Sequence, residues 1–409
     1  MHTGIKFRAH PTCFQKLVIS QWIGCARVIW NAKVAEEQYY RTYARKYCPI
    51  GTYAPIDQQY SRFKSKELTP WLFECPSPIL RNAVANWYQT YQNFMKGRCG
   101  RPQHKPKTSR GSIYLTREMF RFDRCEDGNL RLFIGQKKNN IGYLSFKTHK
   151  KFKIPDSLHI VKEHGKYFIC FAYDDGLSEE SLFDNQEHLE YLKTCDREFL
   201  EEITVGIDRG VARPVQAGSQ SHDFDPNQKK NAKKAERDIK HLQKQRARQQ
   251  NGSKRAKKTK HRIAKKHAKI ANIRKDFVHK TTRALVNSDK KVFILEDLHV
   301  SSMVRKPKSK QDANGRYLPN KAGQKAGLNK AILNVSWGSI QSTLTYKAKR
   351  AGKAVFYISA AYTSQECAKC GYTHPDNRKT QASFVCGNCG HTDNADHMLP
   401  RLLKSAQLN

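Results

Sequence analysis

Hydrophobic positions near the start of the chain follow two periods. Residues 4 to 9 alternate like a short strand, and from about Gln15 to Tyr43 apolar residues recur at helical spacing. A second helical stretch runs near Ser77 to Met95 and carries an apolar side. Its members are Ile79, Leu80, Val84, Trp87, Tyr91 and Phe94. The pattern predicts a strand followed by a small helical subdomain.

After Gly100 the pattern changes to short alternating segments. A basic loop, GRPQHKPKTSRGS, introduces them. Strand-like alternation follows near 113–116, 130–134, 142–146, 158–162 and 167–173. We predict a β-rich, barrel-like module that ends before the acidic stretch 175–202.

From Ile203 onward strand and helix patterns take turns. ITVGIDRG is followed by a long helical region, KVFILED, a helix near Asn329 to Ala351, and KAVFYIS. Apolar residues of that last helix step by four, three and four, which predicts one buried face. They are Leu333, Trp337, Ile340 and Leu344. Gly352 suits the C-terminal cap, and the alternation as a whole predicts an α/β layered domain.

The charge of the chain narrows its possible partners. There are 75 Lys and Arg against 36 Asp and Glu, a formal net charge of +39. Such an excess repels itself unless a polyanion neutralises it, so nucleic acid is the expected partner. A merely basic surface is the alternative, although soluble domains usually stay within about 2 to 8 charges of neutral.

The densest positive charge lies between Gln228 and Asn287. A charge run of this kind is usually a solvated helix face, but its length and scarcity of acids favour contact with phosphates. Gly252 interrupts it, which predicts two helices joined by a turn.

The sequence offers no sign of a membrane segment. Its apolar runs stay short of the ~20 residues needed to span a bilayer, and the opening MHTGIKFRAHPTC lacks the apolar core of a signal peptide. We therefore expect a cytoplasmic protein. In that reducing compartment the scattered cysteines are interpreted as small core residues or free thiols. They are Cys13, Cys25, Cys48, Cys75, Cys99, Cys125, Cys170 and Cys195.

Four further cysteines form two C-x-x-C pairs. Fifteen residues separate Cys367-Ala-Lys-Cys370 from Cys386-Gly-Asn-Cys389, and a glycine follows each pair. Four thiolates at this spacing are typical of one tetrahedral zinc ion, and the glycines permit tight turns. Disulfides are the alternative. Because all four ligands come from the protein, the predicted zinc site is structural.

Carboxylates end two of the predicted buried strands. Asp208 follows Ile203, Val205 and Ile207, and Glu296, with Asp297 beside it, follows the apolar run 292–295. A buried acid is costly unless it binds something, although a strand-end Asp also commonly caps a turn. In adjacent strands the two groups would converge. Phosphodiester hydrolysis needs an activated water and stabilisation of the leaving alkoxide, and two Mg²⁺ ions held by acids of this kind can supply both.

A third carboxylate is needed from a separate segment. Asp396 lies seven residues after Cys389, at the start of a predicted helix from His397 to Ala406, where it would also serve as an N-cap. Spacing alone does not separate it from its rival Asp393.

Several motifs together resemble one family. GIDRG, LEDL, LNKAILNVSWG, YTSQECAKCG, CGNCG and NADH look like those of TnpB, the RNA-guided nuclease encoded by small bacterial insertion sequences, and of its relatives among compact type V CRISPR effectors. The resemblance covers nearly the whole chain and is most specific after Ile203.

The resemblance implies a fold and its domains. It implies an α/β RuvC (ribonuclease-H-like) nuclease domain over 203–409, with a zinc-ribbon insert over 363–392. It also implies a preceding β-barrel wedge domain, formed by 1–12 and 100–200, that carries a helical recognition insert over 13–99.

The resemblance also implies roles for individual residues. Asp208, Glu296 and Asp396 would bind Mg²⁺ and orient the attacking water, and Arg378 would contact the scissile phosphate. Looser similarity puts four residues at a short motif that flanks the DNA target. They are Tyr53, Ser77, Arg81 and Thr116.

The implied activity is RNA-guided cleavage of double-stranded DNA by one protein chain with one guide RNA, in a bacterial cell, where base pairing reads the sequence. The chain departs from the family after the third acid, where Asp396-His397 leads into Met398-Leu399-Pro400-Arg401. That departure keeps a second hypothesis open, an RNA-guided DNA-binding protein with weak or lost cleavage. A transposase acting directly on element ends is a third, although no Tyr beside a His pair supports it.

Overall fold

The computed structural model describes residues 2–44, 57–107, 110–124, 130–136, 139–174, 176, 185–359, 365–367, 369–378 and 383–394. The chain forms two compact units, which divide after Leu177. This division agrees with the prediction that the β-rich module ends before the stretch 175–202, and it lies earlier than the boundary at 200 that the resemblance implies. The reason is that Leu192 and Leu200, from the acidic stretch, are buried in a core of the second unit.

Antiparallel strands and two helices build the first unit. One five-stranded sheet has the order β2-β7-β8-β1-β6, and β3-β4-β5 form a second. The strands are β1 (His2–Ala9), β2 (Gly111–Thr116), β3 (Phe120–Arg124), β4 (Leu130–Gly135), β5 (Asn140–Leu144), β6 (Phe146–Lys147), β7 (Ser157–Glu163) and β8 (Lys166–Asp174). Strands β2 and β6 are the edges of the larger sheet, and closure into a barrel stays a prediction.

The two helices lie between β1 and β2 in the sequence. They are α1 (Cys13–Tyr39), which continues into a π-helical turn over Tyr40–Ala44, and α2 (Ser77–Met95). Thr12 caps α1 through a capping box with Gln15. Buried residues of both helices share one core with the strands. The predicted helical segment therefore packs directly on the β-rich part, and it also has a smaller cluster of its own, formed by Trp30, Val34 and Trp87.

The second unit is an α/β layered structure. Its five-stranded sheet has the order β11-β10-β9-β12-β15, in which β9, β12 and β15 are parallel and β10 and β11 are antiparallel to their neighbours. The strands are β9 (Thr204–Asp208), β10 (Val215–Ala217), β11 (Gln220–His222), β12 (Val292–Glu296), the short pair β13 (Lys310–Gln311) and β14 (Tyr317–Leu318), and β15 (Ala354–Ile358). The predicted alternation of strands and helices after Ile203 is confirmed.

Helices surround this sheet. They are α3 (Asn185–Lys193), α4 (Arg197–Ile203), α5 (Pro226–Ala247), α6 (Lys254–Val286), α7 (Val300–Met303), α8 (Ala322–Val335) and α9 (Trp337–Arg350). As predicted, the basic region forms two helices, with Gly252 in the left-handed conformation between them. Gly352, also left-handed, follows the end of α9 as predicted.

The predicted single helix from Asn329 to Ala351 is wrong. Ser336 adopts a left-handed conformation with φ 64° and separates α8 from α9. The break changes the helix axis, so the four apolar residues do not share one face. Trp337, Ile340 and Leu344 are buried, whereas Leu333 is 51% exposed.

The turn at Gly252 requires a residue that tolerates a positive φ, and a substitution can test this requirement. A Cβ atom there would meet no heavy atom within 4 Å, but φ is +83°. Gly252→Ala is therefore expected to cost about 1 kcal/mol through backbone strain alone. Gly327→Ala, inside α8 and equally uncrowded, is the matched control and should stabilise by about 0.5–1 kcal/mol. Thermal unfolding checks this, and equal melting temperatures for the two variants would contradict it.

Candidate active site and metal centre

Two predicted acidic residues lie at the same edge of the central sheet. Asp208 is the last residue of β9, and Glu296 is the last residue of β12. The two strands are parallel neighbours, with Leu295 opposite Ile207. Their carboxyl ends therefore meet at one edge, where both acidic residues are half-buried. Carboxylate oxygens placed in this way suit a hard divalent cation such as Mg²⁺.

The strand that carries Glu296 is apolar on both faces. Every residue from Val292 to Leu295 is fully buried, as expected for parallel strands covered by helices. On the far side of β12, Glu296 pairs with Ile358 of β15. The sheet thus holds the two acidic positions in a fixed register.

The turn after Asp208 is tight. The backbone N–H of Gly210 donates to the carbonyl of Arg213 over 3.0 Å, and a Cβ atom at Gly210 would lie 2.8 Å from that same oxygen. Trp337 of α9 donates its indole Nε1–H to the Gly210 carbonyl over 3.2 Å. The glycine of GIDRG is therefore required by this close approach.

Sequence reasoning missed the residue between Asp208 and Gly210. Arg209 is only 3% exposed and donates to the side chain of Gln341 and the backbone carbonyl of Glu296. Burial lowers the pKa of its guanidinium, while electrostatic interactions with Glu296, Tyr357, Asp208 and Asp297 oppose that shift. No local sequence signal marks this role, because the partner Gln341 lies 132 residues further along the chain.

The third acidic position and its helix lie outside the described residues. Asp396 and the predicted helix from His397 to Ala406 belong to that part. The rival, Asp393, lies in β17 (Thr392–Asn394), which pairs with β16 (Ser383–Val385) in the cysteine-rich segment.

The four clustered cysteines converge. Their sulfur atoms all lie within 4.8 Å of one another. Cys367 and Cys389 are 3.6 Å apart, as are Cys370 and Cys386. Four sulfurs at ~2.3 Å from a central ion would be about 3.8 Å apart. The set therefore fits a tetrahedral four-thiolate metal site, whereas the disulfide alternative does not apply, because all four are free cysteines.

The backbone around both C-x-x-C pairs favours metal binding. Gly371 and Gly390 adopt the predicted left-handed conformation, and their N–H groups donate to the carbonyls of Cys367 and Cys386. The backbone N–H of Asn388 also points at the Cys386 sulfur, 3.4 Å away. Such donors stabilise bound thiolates.

Two of the four thiols have pKa values shifted in opposite directions. The hydrogen bond from the Tyr372 backbone lowers the pKa of Cys370 to about 6. The pKa of Cys389 is raised to about 12, since the hydrogen bond from the His391 backbone is outweighed by desolvation and by the other three thiols. Four thiolates this close repel one another, so a cation is needed to hold all of them deprotonated.

Arg378 lies in the same cysteine-rich segment. It ends the 3-10 turn Pro375–Asn377 and bridges to Phe384. Nearby, Asn377 is buried and hydrogen-bonds the backbone at Gln365, Tyr372 and Gly387. The predicted role of Arg378 at a scissile phosphate stays a prediction.

The structure brings together two of the residues predicted to lie at a flanking DNA motif. Arg81 of α2 forms an ion pair with Glu118, and Thr116 donates to that same carboxylate over 2.8 Å. Ser77, exposed at the start of α2, is one helical turn from Arg81. Tyr53 lies outside the described residues.

The other described cysteines are free thiols. Cys25 and Cys75 are buried and the rest are partly or fully exposed. Among the helices of the described residues, each is too short or too polar to cross a membrane.

Comparison with known proteins agrees with the motifs. Three family models match, described as a helix-turn-helix domain over residues 1–45, a probable transposase (OrfB_IS605) over 191–306, and a Cas12f1-like TNB domain over 337–398. In the first of these segments, residues 2–44 form β1, the single helix α1 and its π-helical turn.

Two curated relatives match along almost the whole chain. One is named a putative RNA-guided DNA endonuclease, InsQ, from Escherichia coli K12. It is 29% identical over 396 residues, which are 96% of this chain and 89% of the relative. The other is a putative RNA-guided DNA endonuclease from Streptomyces pristinaespiralis, 23% identical over 99% of this chain and 89% of its own length.

A solved structure, a Cas12f1–sgRNA–target DNA complex, also aligns with this chain. The alignment covers 99% of both chains at 14% identity, with a TM-score of 0.31.

The motifs and two of the matched models are those of OrfB_IS605 proteins. Together with the full-length relatives, they support a TnpB family protein related to Cas12f.

Proposed function

We propose that this chain is an RNA-guided DNA endonuclease of the RuvC type, which binds a guide RNA from its own element and cuts double-stranded DNA next to a short flanking motif. The observation that carries the proposal is the convergence of Asp208 and Glu296 at the ends of adjacent parallel strands. The strand order supports it, because an antiparallel three-strand meander followed by two parallel strands is the ribonuclease-H-like arrangement. Both full-length relatives are named RNA-guided DNA endonucleases.

Asp208, Glu296 and Asp396 would hold two Mg²⁺ ions in this nuclease. The metal supplies an activated water and stabilises the leaving alkoxide. The chain contributes by fixing the carboxylates before substrate arrives. The parallel register sets Asp208 against Glu296, and the close backbone contact at Gly210 limits movement after the first acid. One site of this kind would cut both strands in turn.

The cysteine cluster is proposed to bind one structural zinc ion. All four ligands come from the protein, so no coordination position is left for a substrate. The ion would hold together a ribbon whose buried hydrophobic cluster, in the part of it that the structure describes, consists of Cys367, Phe384 and Cys386. Arg378, carried on this ribbon, would contact the scissile phosphate.

The first unit is proposed to hold the guide RNA and read the flanking motif. In this proposal the strands form a barrel-like wedge over 1–12 and 100–200, and residues 13–99 are its recognition insert. Arg81 and Thr116 meet on Glu118, which gives the exposed end of α2 a defined polar surface. Ser77 belongs to the same surface.

Helices α5 and α6 are proposed to contact the phosphates of the guide RNA or of its duplex with DNA. The acidic residues in both helices are few, and each has a basic partner. Glu236 pairs with Lys330, Asp238 with Lys266, and Asp276 with Lys280. Pairing of these acids leaves the other lysines to set the surface potential.

Three exposed lysines test this surface. Lys257, Lys258 and Lys260 lie on the first turns of α6. Changing all three to Ala should weaken RNA binding and reduce the slope of log affinity against log salt by about 2 to 3, because each phosphate contact contributes roughly 0.7 to 0.9. The charge-preserving triple change to Arg is the control and should retain the slope. An unchanged slope in the Ala variant would exclude these residues as phosphate contacts.

A programmed cleavage assay tests the whole proposal. RNA that copurifies with the full chain is sequenced, and its guide portion is matched to a plasmid library with randomised flanking sequence. Guide-dependent loss of plasmids with one flanking motif is expected in Mg²⁺. Guide-dependent binding without nicking would instead support the second candidate, a DNA-binding protein without useful cleavage, which the residues after Asp396 motivate. Absence of any copurifying element RNA would overturn both.

A further inference from the structure

A buried arginine links the two strand ends that carry the acids. Arg209 follows Asp208 directly and is 3% exposed. Its Nη2 donates to the backbone carbonyl of Glu296, and its Nη1 donates to Oε1 of Gln341 over 3.0 Å. Its guanidinium therefore joins the ends of β9 and β12 to α9.

Burying a guanidinium is unfavourable unless nearby charges and hydrogen bonds compensate. Here the Nε–H has no hydrogen-bond partner among the described residues, so the contacts made by the two Nη atoms do not satisfy the group fully. The carboxylates that act on it electrostatically are those of Glu296, Asp208 and Asp297. The cation thus offsets the mutual repulsion of the two acidic residues.

Helix α9 fixes the partner of this arginine. The Gln341 carbonyl accepts a hydrogen bond from Thr345 Oγ1 over 2.8 Å, and Thr345 Oγ1 lies 2.5 Å from the hydroxyl of Tyr357 in β15. Trp337, on the same helix, donates to Gly210. Helix α9 therefore contacts the turn after β9 at two points, the guanidinium of Arg209 and the backbone carbonyl of Gly210.

We propose that Arg209 is a positioning residue, which sets the separation of Asp208 and Glu296 for metal binding, and that Gln341 acts by orienting its guanidinium. The inference rests on the proposed function, because it assigns metal ions to these two acids. Arginine is required because its planar fork reaches two acceptors in different directions, whereas a lysine ammonium is a point charge on a flexible stem. Residues that orient metal ligands typically change metal affinity about 10- to 100-fold when they are replaced.

Four variants test the assignment in the full chain with its copurified RNA. Arg209→Lys keeps the charge and loses the fork, and Gln341→Ala removes the orienting contact while leaving Arg209 in place. The double variant asks whether Gln341 acts through Arg209. Arg213→Lys makes the same exchange at an exposed position of the same turn and is the matched control.

Two measurements are made on each variant. The first is the Mn²⁺ concentration that gives half of the metal-induced rise in melting temperature, measured without target DNA. The second is the Mg²⁺ concentration for half-maximal cutting. We expect Arg209→Lys to raise both concentrations about 10-fold or more, and Gln341→Ala to raise them less. The double variant should match Arg209→Lys, and Arg213→Lys should match wild type with unchanged RNA content.

Each outcome bears on the proposal. A folded Arg209→Lys protein with wild-type metal concentrations would overturn it, as would a double variant whose shift is the sum of the two single shifts. If Arg209→Lys does not fold, Gln341→Ala decides, and a wild-type response there would overturn the inference. A wild-type chain that binds Mn²⁺ through Arg209-dependent acids but cuts no DNA would refute the proposed function and leave the positioning role intact.

Discussion

Asp208→Asn and Glu296→Gln are each expected to reduce guide-directed DNA cutting by about 1000-fold or more. Each change keeps the size of the side chain and removes one charge, that of a proposed metal ligand, from the edge where β9 and β12 end side by side. Metal stabilisation of a phosphoryl transition state is worth several kcal/mol, and ~4 kcal/mol corresponds to about a thousandfold in rate. Single-turnover cleavage of a matched plasmid at saturating protein measures the effect.

Asp297→Asn is the matched control for this experiment. It neutralises the residue next to Glu296, but Asp297 is exposed beyond the end of β12, and its backbone N–H bonds to Ile358. We expect cutting within about threefold of wild type. Both inactive variants should still bind guide RNA and target DNA, because each keeps the size of the side chain and the hydrogen bond from Arg209 to the backbone carbonyl of residue 296. Undiminished cutting by Asp208→Asn would remove the proposed metal site.

The two strand-end acids were predictable from sequence because both depend on local patterns. A run of buried residues followed by an acid has one economical explanation in a parallel sheet, since the strand itself leaves no room for an unpaired charge. The order of the strands adds only that β9 and β12 are neighbours. The cysteine pairs were predictable for a similar reason, since their ligands and their left-handed glycines are close in sequence.

Features that depend on distant contacts were not predictable in this way. Arg209 looks like any basic residue in a loop until α9 brings Gln341 beside it. Ser336 carries no signal of its left-handed conformation, because serine rarely adopts one. A helix without that break would place Leu333 on the buried face with Trp337, whereas Leu333 is exposed in the structure. The position of Asp396 rests on family resemblance alone, and it lies outside the described residues.

Cys386→Ser is expected to abolish binding of the structural zinc and to unfold the ribbon without unfolding the sheet. Among its described residues the ribbon has a buried hydrophobic cluster of three, and two of these are proposed metal ligands. A core this small cannot offset the entropy of ordering the chain, so folding depends on the metal. Zinc binding to isolated fingers is worth about 10–16 kcal/mol. Zinc content should fall from one ion per chain to none, and limited proteolysis should cut within 365–394.

Cys99→Ser is the control for this variant, since Cys99 is an exposed free thiol in the other unit and should leave both zinc content and proteolysis unchanged. The sheet should survive loss of the ribbon because its core draws on β9, β12 and the helices α6, α8 and α9. Cleavage should nevertheless be lost with the ribbon, since Asp396 follows the last cysteine pair by seven residues and Arg378 lies within the ribbon. A Cys386→Ser protein that cuts DNA normally would show that cleavage does not depend on the folded ribbon. It would also argue against Asp396 as the third metal ligand.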